Sequence, residues 1–137
     1  MKTNTILLVE DDYLDVESVK RALKKQKINH VLHIAHNGVD ALAMLTSETN
    51  KVIPDVILLD INMPKMNGLE FLSIIKNYYN LKNIKIFIIT TSAEEYDKFT
   101  AQSLDVSGYI LKPLNFNEKA GGDSLKLMEE LIKEEQQ

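Results

Sequence analysis

Three four-residue runs are apolar at every position: Ile6-Leu7-Leu8-Val9, Val56-Ile57-Leu58-Leu59 and Ile86-Phe87-Ile88-Ile89. They constrain the fold more than any other feature. A strand with one wet face alternates apolar and polar side chains, whereas a short run with no alternation suits a strand covered on both faces of a parallel sheet. Val31-Leu32-His33-Ile34-Ala35 and Tyr109-Ile110-Leu111 bring the set to five runs. Helical periods fill the intervals. Val16, Val19, Ala22 and Leu23 make one stripe, with Lys20, Arg21, Lys24 and Lys25 mostly opposite. Val39, Leu42 and Leu45 make a second after Asn37-Gly38, and Leu69, Leu72 and Ile75 a third after Gly68. Residues 94–104 are expected to form a fourth helix, opened by Ser92 with Glu94 and Glu95 in its first turn. Leu125, Met128, Leu131 and Ile132 predict a fifth. Repeated strand–helix units imply an α/β, doubly wound sheet with right-handed crossovers.

The bulk properties narrow the function. A chain of 137 residues is one ordinary domain, with no internal repeat or linker. A net charge of −4 argues against a nucleic-acid backbone as partner, so no DNA binding is expected. The absence of cysteine excludes disulfides and thiolate metal sites. The start, Met1-Lys2-Thr3-Asn4, lacks a signal peptide's apolar core, and no apolar run approaches the length of a membrane span. The expectation is a cytoplasmic protein.

In open α/β sheets, ligands bind outside the carboxyl ends of the strands. Glu10-Asp11-Asp12 follows the first run, Asp60 the third, Thr90-Thr91-Ser92 the fourth and Lys112-Pro113 the fifth. All of these fall on one edge. Converging carboxylates raise one another's pKa, and a hard divalent cation with oxygen ligands relieves the repulsion. Glu10 and Asp11 with Asp60 are therefore candidate ligands for Mg²⁺ or Mn²⁺. Asp12 is equally suited to cap the first helix. Asp60, directly after four apolar residues, is a candidate carboxylate nucleophile. Lys112 offers a compact positive charge for a phosphoryl oxygen, and Thr90 a hydroxyl.

Glu10-Asp11, Asp60-Ile61-Asn62-Met63-Pro64-Lys65-Met66-Asn67-Gly68, Thr90-Thr91-Ser92 and Gly108-Tyr109-Ile110-Leu111-Lys112-Pro113 resemble the receiver domain of two-component response regulators. The resemblance runs from residue 5 to about 119. It implies a flavodoxin-like, five-stranded parallel sheet in the order 2-1-3-4-5, with helices on both faces. Residues 1–137 would be a single receiver domain, with a core of about 5–134 and no output domain. Asp60 would be the phosphoacceptor, and Asp11 and Asp60 would ligate the metal together with the backbone carbonyl of Asn62. Glu10 would act largely through a metal-bound water. Lys112 would contact the acceptor carboxylate and then the phosphoryl group. Thr90 and Tyr109 would form the switch, and the Lys112–Pro113 bond would be cis. The implied donor is a sensor histidine kinase or a histidine phosphotransfer protein. The implied output is a conformational change read by a downstream protein, from a monomer or weak homodimer that is not an enzyme in its own right. The Thr-Thr-Ser strand end is similar to that of small regulators paired with phytochrome-type and other sensor kinases.

Other chemistries fit less well. A phosphohydrolase with an aspartate nucleophile usually carries a second Asp two residues on, where Asn62 stands here. A flavodoxin-like cofactor binder would want a Gly/Ser/Thr-rich loop where Glu10-Asp11-Asp12 stands. No segment remains for the DNA-binding part of a transcription factor. His30, His33 and His36 lie in or beside an expected edge strand and read as solvent-facing rather than metal-binding. The basic cluster Lys20, Arg21, Lys24, Lys25 and Lys27 reads as a solvated helix face. One departure from the family stands out. Gly121-Gly122 interrupts the usual fifth helix, and each glycine costs a helix interior about 1 kcal/mol relative to alanine. The main helix is therefore expected to start near Asp123 as N-cap, after an irregular segment.

Overall fold

The computed structural model describes residues 3–61, 63, 65–78, 80–100, 105–114, 116 and 122–132, without the side chains of 99 and 100. Strands β1 (Asn4–Val9), β2 (His30–Ala35), β3 (Val56–Asp60), β4 (Lys85–Thr90) and β5 (Gly108–Leu111) pair in parallel in the order β2-β1-β3-β4-β5. Helices α1 (Tyr13–Lys25), α2 (Gly38–Thr46), α3 (Gly68–Ile75), α4 (Ala93–Thr100) and α5 (Ser124–Ile132) alternate with them. This is the doubly wound sheet that the five runs predict, in the strand order that the resemblance implies.

The uninterrupted apolar runs have the expected cause. Every residue of β3 is buried. Alternate side chains feed two separate cores. Ile6, Leu8, Val56, Leu58, Phe87 and Ile89 pack with Val16, Val19 and Leu23 of α1 and Leu127 and Leu131 of α5. Leu7, Val9, Ile57, Leu59, Ile86 and Ile88 pack with Ala41 and Leu45 of α2 and Phe71, Leu72 and Ile75 of α3. Truncating a fully buried residue such as Phe87 would cost about 3–5 kcal/mol, and either core reaches the same central strands. The edge carrying Glu10, Asp60 and Thr90 thus sits on strands whose side chains feed both cores.

Helix starts are set by side chains. Asn37 accepts the Asp40 N–H at 2.9 Å, and Asn67 forms a capping box with Glu70. Gly68 is required where α3 leaves β3, because a Cβ there would lie 2.7 Å from Ile61 Cα. The fourth helix begins at Ala93 with Ser92 as its cap, as expected. Residues 101–104, the rest of its predicted span, lie outside the described residues.

The last helix starts at Ser124, close to the predicted position, but the reason differs from the predicted one. Gly122 forms an antiparallel bridge with Ile110, so the chain returns along the free edge of β5 before α5 begins. Gly122 has φ +78°, and a Cβ there would meet Tyr109 O at 2.6 Å. The glycine serves this close approach. Asp123 occupies the N-cap position, with its carbonyl accepting the Leu127 N–H at 3.0 Å. Its carboxylate is spent on the Tyr109 N–H at 2.9 Å instead. The remainder of the predicted irregular segment, residues 115 and 117–121, lies outside the described residues.

Candidate functional site

Parallel pairing brings the carboxyl ends of four strands together. The Glu10 N–H donates to Ala35 O at 2.9 Å, and the Lys112 N–H donates to Thr90 O at 2.8 Å. Asp60 closes β3 and Thr90 closes β4. Their side chains, with those of Asp11, Asp15 and Glu95, line a cleft of about 390 Å³. Asp12 is the helix cap: its carboxylate accepts the N–H groups of Leu14 at 2.8 Å and Asp15 at 3.2 Å.

Lys112 stands among three carboxylates. Its Nζ lies 2.9 Å from Glu10 Oε1, 2.9 Å from Asp15 Oδ2 and 3.7 Å from Asp60 Oδ2. Asp60 is its longest contact. Burial alone would lower the Lys112 pKa, but Glu10, Asp15 and Asp60 outweigh it and hold the ammonium firmly charged. One cation does not balance these acids. Burial, and then the Asp60 side chain, push Glu10 up to about 8 although Lys112 pulls the other way.

This excess has a measurable consequence. A carboxyl whose folded pKa lies above its ordinary 4.5 contributes stability fully below 4.5 and loses it as the pH rises through about 8. The metal-free protein should therefore lose this stability between those two values. Glu10→Gln should gain on the parent by at least about 1 kcal/mol at pH 8 relative to pH 4.5. Urea melts in a chelator measure the difference; a gap between the two proteins that does not change with pH would remove Glu10 as the proton holder.

A divalent cation would relieve the same excess. Carboxylate oxygens of Glu10, Asp11 and Asp60 lie within 4.8 Å of one another, an all-oxygen set that fits Mg²⁺ or Mn²⁺. This is the one such group among the described residues, and none of the histidines joins it. His30 instead approaches Ile28 O at 2.6 Å on the edge strand. Asn62, expected to add a backbone carbonyl, lies outside the described residues.

Thr90 is buried, and its hydroxyl donates to Glu95 Oε2 at 2.9 Å. The Tyr109 ring is half-buried and stacks on Tyr96 of α4, with centroids 4.4 Å apart and planes at 27°. Burial and then the charge of Asp123 raise the Tyr96 pKa. The Lys112–Pro113 peptide is cis.

The sequence reading missed Asp15 and Glu95. Each is the third residue after a helix cap, Asp12 and Ser92, and that spacing returns a first-turn side chain to the side of the cap. The helix dipole alone accounted for Glu95, and nothing in the sequence singled out Asp15.

The all-parallel 2-1-3-4-5 sheet thus carries an acidic edge with a lysine just beyond β5, the architecture of a receiver-type signalling module. The chain belongs to the response regulator receiver domains: residues 6–119 match that family. It is 39% identical over 116 residues to the response regulator Rcp1 of Synechocystis, covering 82% of this chain and 79% of that protein. The bacteriophytochrome response regulator AtBRR superposes with a TM-score of 0.83 at 32% identity, covering 96% of this chain and 94% of that one. The Mn(2+)-bound form of Rcp1 superposes with a TM-score of 0.71 at 35% identity, covering 95% and 92%. Among the described residues no helix is long and apolar enough to cross a membrane.

Proposed function

We propose that Asp60 accepts a phosphoryl group from a phosphohistidine on a sensor kinase or phosphotransfer protein, and that the product alters a protein-binding surface built from α4, β5 and α5. The observation that carries this reading is the placement of Lys112 beside Asp60, with Glu10 and Asp15 fixing its ammonium.

In the transfer, an Asp60 carboxylate oxygen attacks phosphorus in line, the P–N bond breaks, and the donor imidazole leaves with the bonding pair. The Lys112 ammonium meets a phosphoryl oxygen as charge shifts toward Asp60. A divalent cation held by Glu10, Asp11 and Asp60 would supply further neutralisation of the phosphoryl oxygens. Hydrolysis of the acyl phosphate then resets Asp60. Thr90 can donate to the new phosphoryl group, and Tyr109 can follow into the space it leaves, which biases a two-state surface.

Tyr109 is held from both sides. Tyr96 stacks on its ring, and Asp123 pairs with its backbone N–H and C=O. The Gly122–Asp123 return strand therefore belongs to the output surface in this proposal. Output through protein contact is consistent with the overlap with the response regulators Rcp1 and AtBRR across most of their lengths. A cytoplasmic location follows from the class of donor.

Incubation with a small phosphodonor and Mg²⁺ should add one phosphoryl mass that is labile to base. Asp60→Asn should abolish it. Undiminished labelling of the variant would reject the assignment.

A further inference from the structure

We propose that Glu95 is a latch: its carboxylate holds the Thr90 hydroxyl in the unphosphorylated protein, so a phosphoryl group on Asp60 must compete with Glu95 for that one proton. This rests on the phosphoacceptor reading above and adds the group that opposes the switch.

A hydroxyl has a single hydrogen to donate. The Thr90 Oγ lies 2.9 Å from Glu95 Oε2 and 3.2 Å from Ser92 O, while accepting the Ser92 N–H at 3.3 Å. The shorter contact is to a charged acceptor, and such bonds are roughly twice as strong as neutral ones. Glu95 is itself fixed, with its N–H on Ser92 Oγ at 3.1 Å, and it also takes the Thr91 hydroxyl at 3.3 Å. One carboxylate thus ties both threonines at the end of β4 to the first turn of α4.

An acyl phosphate on Asp60 changes this balance twice. It offers Thr90 a more highly charged acceptor in the same cleft, and it repels the Glu95 carboxylate on the cleft wall. Transfer of the hydroxyl and release of Glu95 then become one event. The next residue, Tyr96, carries the ring stacked on Tyr109. Release of Glu95 therefore reaches the aromatic pair through one peptide unit of the same helix. If Glu95 served only to place negative charge at the start of α4, Glu94 in the same turn could do so without touching Thr90.

Beryllofluoride with Mg²⁺ forms a phosphoryl-like adduct on an acceptor carboxylate and gives an equilibrium readout. Its affinity should be measured for the parent, Glu95→Ala, Thr90→Ala and the double variant, with thermal melts to confirm folding. Glu95→Ala should bind about tenfold more tightly than the parent or better, because a hydrogen bond to a charged group no longer has to be broken. In the Thr90→Ala background the same substitution should change affinity by less than about threefold. The near-isosteric Glu95→Gln, which keeps an acceptor but loses the charge, should fall between parent and Glu95→Ala. Without beryllofluoride, the Tyr109 ring resonances of Glu95→Ala should move toward their adduct positions. An equal gain with and without Thr90 would reduce Glu95 to plain charge repulsion and overturn the latch. Unchanged affinity in a folded Glu95 variant would overturn it too. Failure of the folded parent to bind beryllofluoride at all would instead sink the phosphoacceptor reading, and the latch with it.

Discussion

Lys112→Ala is expected to slow phosphoryl incorporation from a small donor by about a hundredfold, the loss typical when one fixed donor to a developing oxyanion is removed. The effect has two sources. Without the ammonium, Glu10, Asp15 and Asp60 lose the cation that now lies among them. The phosphoryl oxygens also lose the positive charge that meets them during transfer. Tyr109→Ala makes the contrast, because its ring faces Tyr96 rather than the carboxylates. It should label at nearly the parent rate and change only partner binding. Initial rates followed by intact-protein mass separate the two. A folded Lys112→Ala that labels within threefold of the parent, or a folded Tyr109→Ala that does not label, would break the division between chemistry and readout.

Asp11→Ala is expected to weaken Mg²⁺ binding by about a hundredfold or more, at or beyond the upper end of what losing an outer partner of a metal ligand costs. Asp11 is exposed and helps line the cleft, and one of its oxygens lies within 4.8 Å of those of Glu10 and Asp60. Asp12→Ala should leave Mg²⁺ affinity nearly unchanged and cost about 1 kcal/mol of stability, since Asp12 caps α1 through two N–H groups. Calorimetric titration paired with urea melts measures both quantities. The reverse pattern, with Asp12 governing the metal and Asp11 governing stability, would mean that the acidic run is in a different register.

The contrast between Asp11 and Asp12 shows what the sequence could convey. The order of strands and helices was legible because a buried parallel strand and an amphipathic helix write different periods. The convergence of Glu10, Asp60, Thr90 and Lys112 was legible because the strands run in parallel and all end on one edge. The choice between cap and ligand for Asp12 was not, because both uses want a short carboxylate in the same place. It took the turn geometry at Leu14 and Asp15 to decide it. Asp15 and Glu95 were harder still. Each pairs across a long gap in the chain or with a buried hydroxyl, and nothing local marks an acid in a first helical turn as anything but a favourable charge. Gly122 was noticed for its low helix propensity. Its actual requirement, a positive φ beside Tyr109 O, arises only once the chain has doubled back along β5.

The direct test of Asp60 as phosphoacceptor is to find the modified atom. The protein should be phosphorylated by a small donor with Mg²⁺, reduced with borohydride to convert an aspartyl phosphate to homoserine, and digested for peptide sequencing by mass spectrometry. Homoserine should appear at position 60, only after treatment with the donor, and at no other aspartate. Homoserine at Asp11, Asp12 or Asp15 with position 60 intact would contradict the assignment of Asp60.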